Sequence, residues 1–508
     1  MLRNYIITAL RNLFRNRINT AISVIGLSLG ITASMVLFLM ISYLQSYNKH
    51  HDNYNDIYRI VRASDAQDGA RDYTPGVAPP TLDALIVDYP FLDEVFMLSE
   101  KNGSNLFEFE TNDGETKFFE ENEGIAYSEN AFFKTFTRPL LKGSAEKVLI
   151  NPNEIVLSEK LAIKFFGDEN PINKLIKFDK NNELKVVGIM TNYPATSDFP
   201  FEALISYETI KDKHVENGWG SVSSGDQVYM LIKNKKEVED LRAQIPDFVI
   251  KNYPENEDNL EMHIQPMSDF HFNENYQTFS YNSVSKGEIM VMWIIGIFLI
   301  ITACINFVNL STAIAVKRSK EIGIRKVLGS TRLQLVKQHL GETFMVTLIS
   351  VLISLGLAEL GIIKLNAFLE TQIAIHLFTD LSLQIYLVSI LVLVTFFSGC
   401  YPALVISNYS PVMALKNLIT NSNNSKVSLR KALVVFQFLI SQVFIIGTIV
   451  VISQLEYIKD TDLGFKTESV VNVDLPERNN EKKKTLYNEL SRITGVERIS
   501  LTYTNPTS

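Results

Sequence analysis

The chain has 508 residues, an apolar fraction of 46% and a formal net charge of −8. A small acidic excess over so long a chain lacks the strongly basic face of a nucleic-acid binder, so nucleic acid is not an expected partner. Its two cysteines, Cys304 and Cys400, both fall in apolar runs; they cannot build a disulfide framework and read as small packing residues.

The apolar residues are concentrated in a few long stretches, and a helix needs about 20 of them to cross a bilayer. The chain opens with Arg3, Arg11, Arg15 and Arg17, then carries no charge from Ile18 to Asn48. This run is about twice as long as the apolar region of a cleaved signal, and no small-x-small site follows it. It is predicted to be a retained first span (19–45) behind a cytoplasmic amphipathic amino terminus (1–18).

Residues 46–287 have mixed charge, frequent aromatic residues and turn signals. NDIYRIVRA reads as a strand, and NEIVLSEKLAIKFFGDENPINKLIKF as strand, helix, turn and strand, with Ser158 as helix N-cap and Gly167 as stop. ELKVVGIMTNYP and QVYMLIKN are further strands, and KEVEDLRAQIPDFVIKN is a helix. The alternation predicts an α+β domain of one or two subdomains. His50, His51 and Asp52 have no further ligands at metal-site spacing. Gly220 and Gly225 have the spacing of a phosphate-binding loop, but Asp226 and Gln227 stand where that loop needs Lys and Ser or Thr. No GxSxG, HExxH or CxxC motif occurs, so no catalytic, cofactor or metal site is expected, and the chain does not read as an enzyme.

A second span is predicted over 288–316. The segment 317–338 follows, with seven basic residues and Glu321 as its one acidic residue between Lys317 and Lys337. Third and fourth spans are predicted over 339–363 and 381–407, joined by a loop holding only Lys364, Glu370 and Asp380. A linker (408–430) with Lys416, Lys426 and Arg430 precedes a fifth span (431–455). Basic residues in short loops stay on the cytoplasmic side. The amino terminus, 317–338 and 408–430 are therefore expected inside and 46–287 outside. The predicted fold class is a membrane α-helical bundle, four spans plus a fifth, with a large extracytoplasmic α+β domain between spans 1 and 2. The apolar stretches of the spans (Ile289–Val316 and Phe344–Ile363 in the second and third) are poor in ionisable residues; Glu359, near the outer end of the third, is the exception, so no polar solute path marks itself.

Residues 456–508 read as the start of a second extracytoplasmic domain: a strand in SVVNVDL, an amphipathic helix in NNEKKKTLYNELSRITGV, and strand-like ERISLTY. The chain is therefore read as a fragment of a longer protein.

The most patterned segment is KRSKEIGIRKVLGS. Ile322, Arg325 and Lys326 fall at i, i+3 and i+4, which puts an apolar residue and two cations on one helical face. Gly329 is a natural stop. The cations alone suit a loop touching lipid headgroups; Ile322, Ile324, Val327 and Leu328 among them suit a short helix that docks in a groove on a cytoplasmic partner. Both readings stand at this point.

The segment EIGIRKVLGSTRLQLVKQHLGETF resembles the inner loop of the FtsX-like permeases, the class of macrolide-exporter and lipoprotein-releasing ABC permeases. SGCYPALVISNYSPVMALK, with Pro402 and Pro411, resembles the close of that permease domain. RNYIITALRNLFRNRINTAISVIGLSLGI, IVLSEKLAIKFFG and KVVGIMTNYP are similar to the opening and to the MacB-like extracytoplasmic domain. The resemblance covers about residues 1–415. It implies a permease that pairs with a second permease copy and binds a cytoplasmic ABC ATPase through Arg318, Glu321, Ile322, Arg325 and Lys326. It also implies efflux or export of peptides, drugs or lipoproteins by mechanotransmission, a lever movement of the outer domain. Members that serve as a membrane-anchored regulator or scaffold, activating a cell-wall hydrolase through the extracytoplasmic domain, offer the alternative role, with that hydrolase as an extracytoplasmic partner protein. SLRKALVVFQFLISQVFIIG loosely echoes the amino-terminal anchor. That fits a duplicated eight-span member, whose own missing second half would replace the second copy.

Overall fold

The structure is a computed structural model. It describes Arg11, Arg15 and residues 17–65, 70–103, 105–110, 116–121, 124–179, 182–253, 259–317, 319–408, 429–461, 470–471 and 480–502. Two compact units divide the chain: Met1–Gln45 with Gly287–Leu463, and Ser46–Lys286 with Gly464–Ser508.

In the first unit, five helices among the described residues are long and apolar enough to cross a membrane. They are Arg17–Gln45, Lys286–Lys317, Arg332–Leu369, Leu381–Asn408 and Leu429–Asp460. Lipid offers no hydrogen bonds, so these apolar runs satisfy their backbones internally as helices. Small residues bring them together. Ser28 Oγ donates to the carbonyl of Ser350 (3.3 Å), and Ser354 Oγ donates back to that of Ser28 (3.0 Å), which joins the first and third helices. At Gly30 an added Cβ would stand 2.6 Å from Ala303 Cβ, so the first and second helices touch where neither has bulk. The ring of Tyr386 on the fourth helix stacks on Phe38 at 4.1 Å, and its hydroxyl donates to Ser34 Oγ (2.9 Å). The fifth helix meets the second at Phe298–Phe444, and Gln437 Nε2 donates to Asn306 Oδ1 (3.4 Å).

The second unit is built on a mixed sheet. Its strands are β1 (Ile57–Asp65), β2 (Arg71–Thr74), β3 (Glu94–Glu100), β4 (Asn105–Glu110), β5 (Thr116–Glu121), β6 (Ile125–Ser128), β7 (Leu140–Lys142), β8 (Glu154–Ser158), β9 (Leu175–Phe178), β10 (Asn182–Met190), β11 (Ala203–Ser206), β12 (Asp226–Leu231) and β13 (Glu261–Pro266). Hydrogen bonding gives the order β13-β1-β12-β3-β6-β11-β8-β10-β9-β4-β5, with β2 on β1 and β7 on β10. The pairs β8–β10 and β6–β11 are parallel, and the other pairs are antiparallel. The strands are thus joined in one sheet and do not part into two.

Central strands are apolar at successive positions because both faces of the sheet are covered. Ile155, Leu157, Val228 and Met230 enter one core, with Leu82 and Leu85 of helix Thr81–Asp88 and Leu241 and Phe248 of helix Lys235–Asn252. Val156, Tyr229 and Leu231 enter the other, with Phe132, Phe136 and Phe270. Side chains alternate across a strand, so one continuous run feeds both cores. Helix Glu159–Phe166 starts where Leu161 N donates to Ser158 Oγ (3.0 Å) and stops at Gly167, whose φ is +58°.

Helix Asn480–Leu490 forms within the amphipathic segment. Over residues 497–502, ERISLTY carries no strand. SVVNVDL, apart from Val470 and Val471, lies outside the described residues, as do Pro411 and most of 1–18 and of 408–430.

Candidate docking site on the basic loop

The second and third long helices are joined by the short helix Ser319–Val327. Its end is set locally. Ser330 N donates to the carbonyl of Arg325 (3.0 Å) and Gly329 N to that of Lys326 (3.0 Å), with Gly329 at φ +96°. This is the left-handed closure that glycine permits. Thr331 then caps the next helix: its side chain accepts from Gln334 N and its own N–H is taken by Gln334 Oε1 (2.9 Å). Two helix ends separated by only residues 328–331 turn the chain sharply. The third long helix then runs unbroken from Arg332 to Leu369.

The turn folds the short helix back. Ile322 is buried and packs with Leu335. Glu321 and Arg325 form an i, i+4 ion pair (2.7 Å), and Arg325 Nη1 donates onward to Gln338 Oε1 (2.9 Å). Lys326 Nζ donates to the carbonyl of Ser407 (2.6 Å), near the end of the fourth long helix. Partial burial, with Arg332 nearby, holds its ammonium below the ordinary lysine range. Of the five predicted docking residues, Glu321, Ile322, Arg325 and Lys326 are thus brought together, and Arg318 lies outside the described residues. Ile322 faces inward. Ile324, Val327 and Leu328 stay exposed and offer an apolar stripe beside the ion pair. The i, i+3, i+4 spacing of those three residues puts them on one side of the helix, and the packing of Ile322 on Leu335 decides that this side faces outward.

The other patterned segments of the outer unit are structural. Asp226 accepts from Ser99 Oγ (2.5 Å) and pairs with His214 Nε2 (3.1 Å), so the glycine-spaced loop leads into a buried hydrogen-bond network. His51 Nδ1 accepts from Thr137 N (3.1 Å) between Phe136 and Phe199. No cluster of three or more metal-ligating side chains occurs among the described residues.

Two family models match in the order that this architecture requires. Residues 20–248 match the MacB-like periplasmic core domain, and residues 293–411 match the FtsX-like permease C-terminal domain. The chain belongs to the MacB/FtsX-type permease family. Among family relatives, the macrolide export ATP-binding/permease protein MacB of Chlorobium luteolum is 22% identical over 268 residues, covering 51% of this chain and 37% of that protein. The uncharacterized ABC transporter permease YknZ of Bacillus subtilis is 20% identical over 216 residues, covering 42% of this chain and 49% of that one. The chain thus spans about a third to a half of the length of these curated relatives. Among solved structures, a domain of a putative permease from Porphyromonas gingivalis is similar at 15% identity and a TM-score of 0.35, over 42% of this chain and 91% of that one. The periplasmic region of MacB from Actinobacillus actinomycetemcomitans is similar at 16% identity and a TM-score of 0.29, over 41% of this chain and 89% of that one.

Proposed function

We propose that this chain is the membrane subunit of an ABC transporter, driven by ATP hydrolysis in a separate cytoplasmic subunit. The basic loop is the docking element, and the outer domain is the part that the motor moves. In this reading the amino terminus and the basic loop lie on the cytoplasmic side, as the excess of cations there favours, and the membrane is the cell's inner membrane. The cargo class is that of the MacB-like exporters: peptides, drugs or lipoproteins, moved by the outer domain rather than through a charged pore.

One observation carries the reading. The short helix is braced against its own chain by Ile322–Leu335 and Lys326–Ser407, and still presents Ile324, Val327 and Leu328 outward. A loop that only held headgroups needs no brace and no apolar stripe. A helix that enters a partner's groove needs both, because a preorganised ligand loses less entropy on binding.

The charge reversal Glu321→Lys with Arg325→Glu tests it. The ion pair within the helix is kept in reversed order, whereas the charges met by a partner are inverted. Membrane insertion should be unchanged and co-purification of an ATPase subunit lost. Co-purification at the unreversed level would sink the docking assignment.

A further inference from the structure

Two stretches of chain link the outer unit to the long helices. One follows the first helix at Gln45, and the other runs from β13 to the second helix at Lys286. Both are fastened to the same buried carboxylate. Asp198 lies in the loop between β10 and β11 and is 1% exposed. Asn48 Nδ2 donates to Asp198 Oδ2 (2.6 Å), and Asn48 Oδ1 accepts from Asp198 N (2.9 Å). Asn48 N also donates to the carbonyl of Thr196 in that loop (2.9 Å).

From the other stretch, His271 Nδ1 is 3.1 Å from Asp198 Oδ1, and Ser280 Oγ donates to the same oxygen (2.8 Å). The rings of Tyr47 and His271 stack at 3.5 Å and 14°, so the two stretches also touch each other. Arg59, fully buried on β1, donates to the carbonyls of Tyr276 (3.4 Å) and Gln277 (3.0 Å). Lys286 Nζ donates to Asp269 Oδ1 (2.7 Å).

The surroundings are apolar: Phe199 and Phe201 of the same loop pack on Phe279. An apolar residue at position 198 would suit that packing, but would hold neither Asn48 nor His271. Leaving one oxygen of a buried carboxylate unsatisfied is costly, so the loss of Asn48 from Oδ2 weakens the hold on His271 and Ser280 at Oδ1. Asn48 is at φ +60°, a left-handed conformation that asparagine tolerates, which aims its amide at the carboxylate.

We propose that Asp198 is the pin of a joint. It locks both connecting stretches to the β10–β11 loop, so a displacement of either long helix is delivered to the sheet and to the other stretch together. This goes beyond the docking reading and does not depend on it, since the joint holds whichever protein binds the basic loop.

Hydrogen exchange read by mass spectrometry on the full chain in nanodiscs tests the joint without ATP. Asn48→Gly removes the amide and keeps the left-handed backbone available. It should raise exchange about tenfold in residues 271–284, across the carboxylate, as well as in 46–52. Ser280→Ala should do the converse and raise exchange in 46–52. Peptides from β11 and β12 should keep their protection in both variants. If each substitution loosens only its own stretch, the contacts are separate local caps and the joint does not exist.

Discussion

Ile322 and Leu335 are buried against each other, with 8% and 6% of their surfaces exposed, on either side of the turn at Gly329. That contact decides which face of the short helix a partner meets. Ile322 stabilises the loop from within, whereas Val327 and Leu328 are 65% and 80% exposed. Val327→Asp or Leu328→Asp should therefore weaken ATPase-subunit binding at least about tenfold, or roughly 1.4 kcal/mol, and leave the permease intact. Ile322→Asp should instead lower the yield of folded permease. The ratio of co-purified ATPase to permease, beside the permease yield, separates the two effects.

The long helices were legible because uninterrupted hydropathy leaves a chain little choice, and the central strands because their apolar positions are contiguous. Ser158 and Gly167 marked their helix correctly since capping is local chemistry. The facing of the basic helix was not legible. Ile322 shares a helical face with Arg325 and Lys326 on a wheel, but whether that face looks in or out depends on Leu335, thirteen residues away and reached only through the turn. The Asp198 joint was silent for the same reason: Asn48, Asp198, His271 and Ser280 form no sequence motif and meet only once the sheet is assembled. ERISLTY shows no strand over 497–502, since strand propensity is set by packing context more than by the residues themselves.

Arg59 is 1% exposed and makes hydrogen bonds to Gln265 Oε1 (2.8 Å) and Gln227 Oε1 (2.8 Å) besides the two carbonyls, with Phe270 under its guanidinium at 4.6 Å. Arg59→Met takes the donor from Gln265 Oε1 and the two carbonyls, while Gln227 Oε1 keeps the Tyr229 hydroxyl (2.5 Å), and should destabilise the outer unit by about 3 kcal/mol. Guanidinium denaturation followed by Trp219 fluorescence, in a Trp293→Phe background, measures it. A loss below about 1 kcal/mol would mean that water replaces the guanidinium.

Two groups of the outer unit give opposite responses to pH. Burial first, then His50 and Arg138, lower His51 from 6.5 to about 3. Between those values the unfolded chain binds a proton that the folded one refuses, so acidification costs about 1.4 kcal/mol per pH unit. Burial, against the pull of Lys211, raises Glu129 from 4.5 to about 7. There the folded chain holds the extra proton, so its stabilisation is present at low pH and is lost as pH rises through that window. From pH 6.5 to 4.5 the two slopes oppose. Glu129→Gln should make the outer unit lose about 2–3 kcal/mol over that range, and His51→Asn, which keeps an acceptor for Thr137 N, should make it gain stability. Denaturation midpoints at the two pH values test this; two variants with the unmodified protein's pH response would contradict it.

The close approach at Gly30 gives a packing test in the helical unit. Gly30→Ala places a methyl 2.6 Å from Ala303 Cβ and 3.3 Å from the carbonyl of Leu299, so the first and second helices must part, at about 1–3 kcal/mol. The thermal midpoint in detergent should fall, and Ala303→Gly in the same chain should restore most of it. No shift with Gly30→Ala alone would mean that the two helices are not packed there.

The central claim is that a separate motor sits on the basic loop. Its most direct test is to purify the tagged chain from its native membrane in mild detergent and identify by mass spectrometry what co-elutes. A stoichiometric protein with a phosphate-binding loop, lost from the Val327→Asp variant, is the predicted result. An intact, folded permease that brings down no such protein would contradict the claim and leave the loop as a headgroup-binding segment.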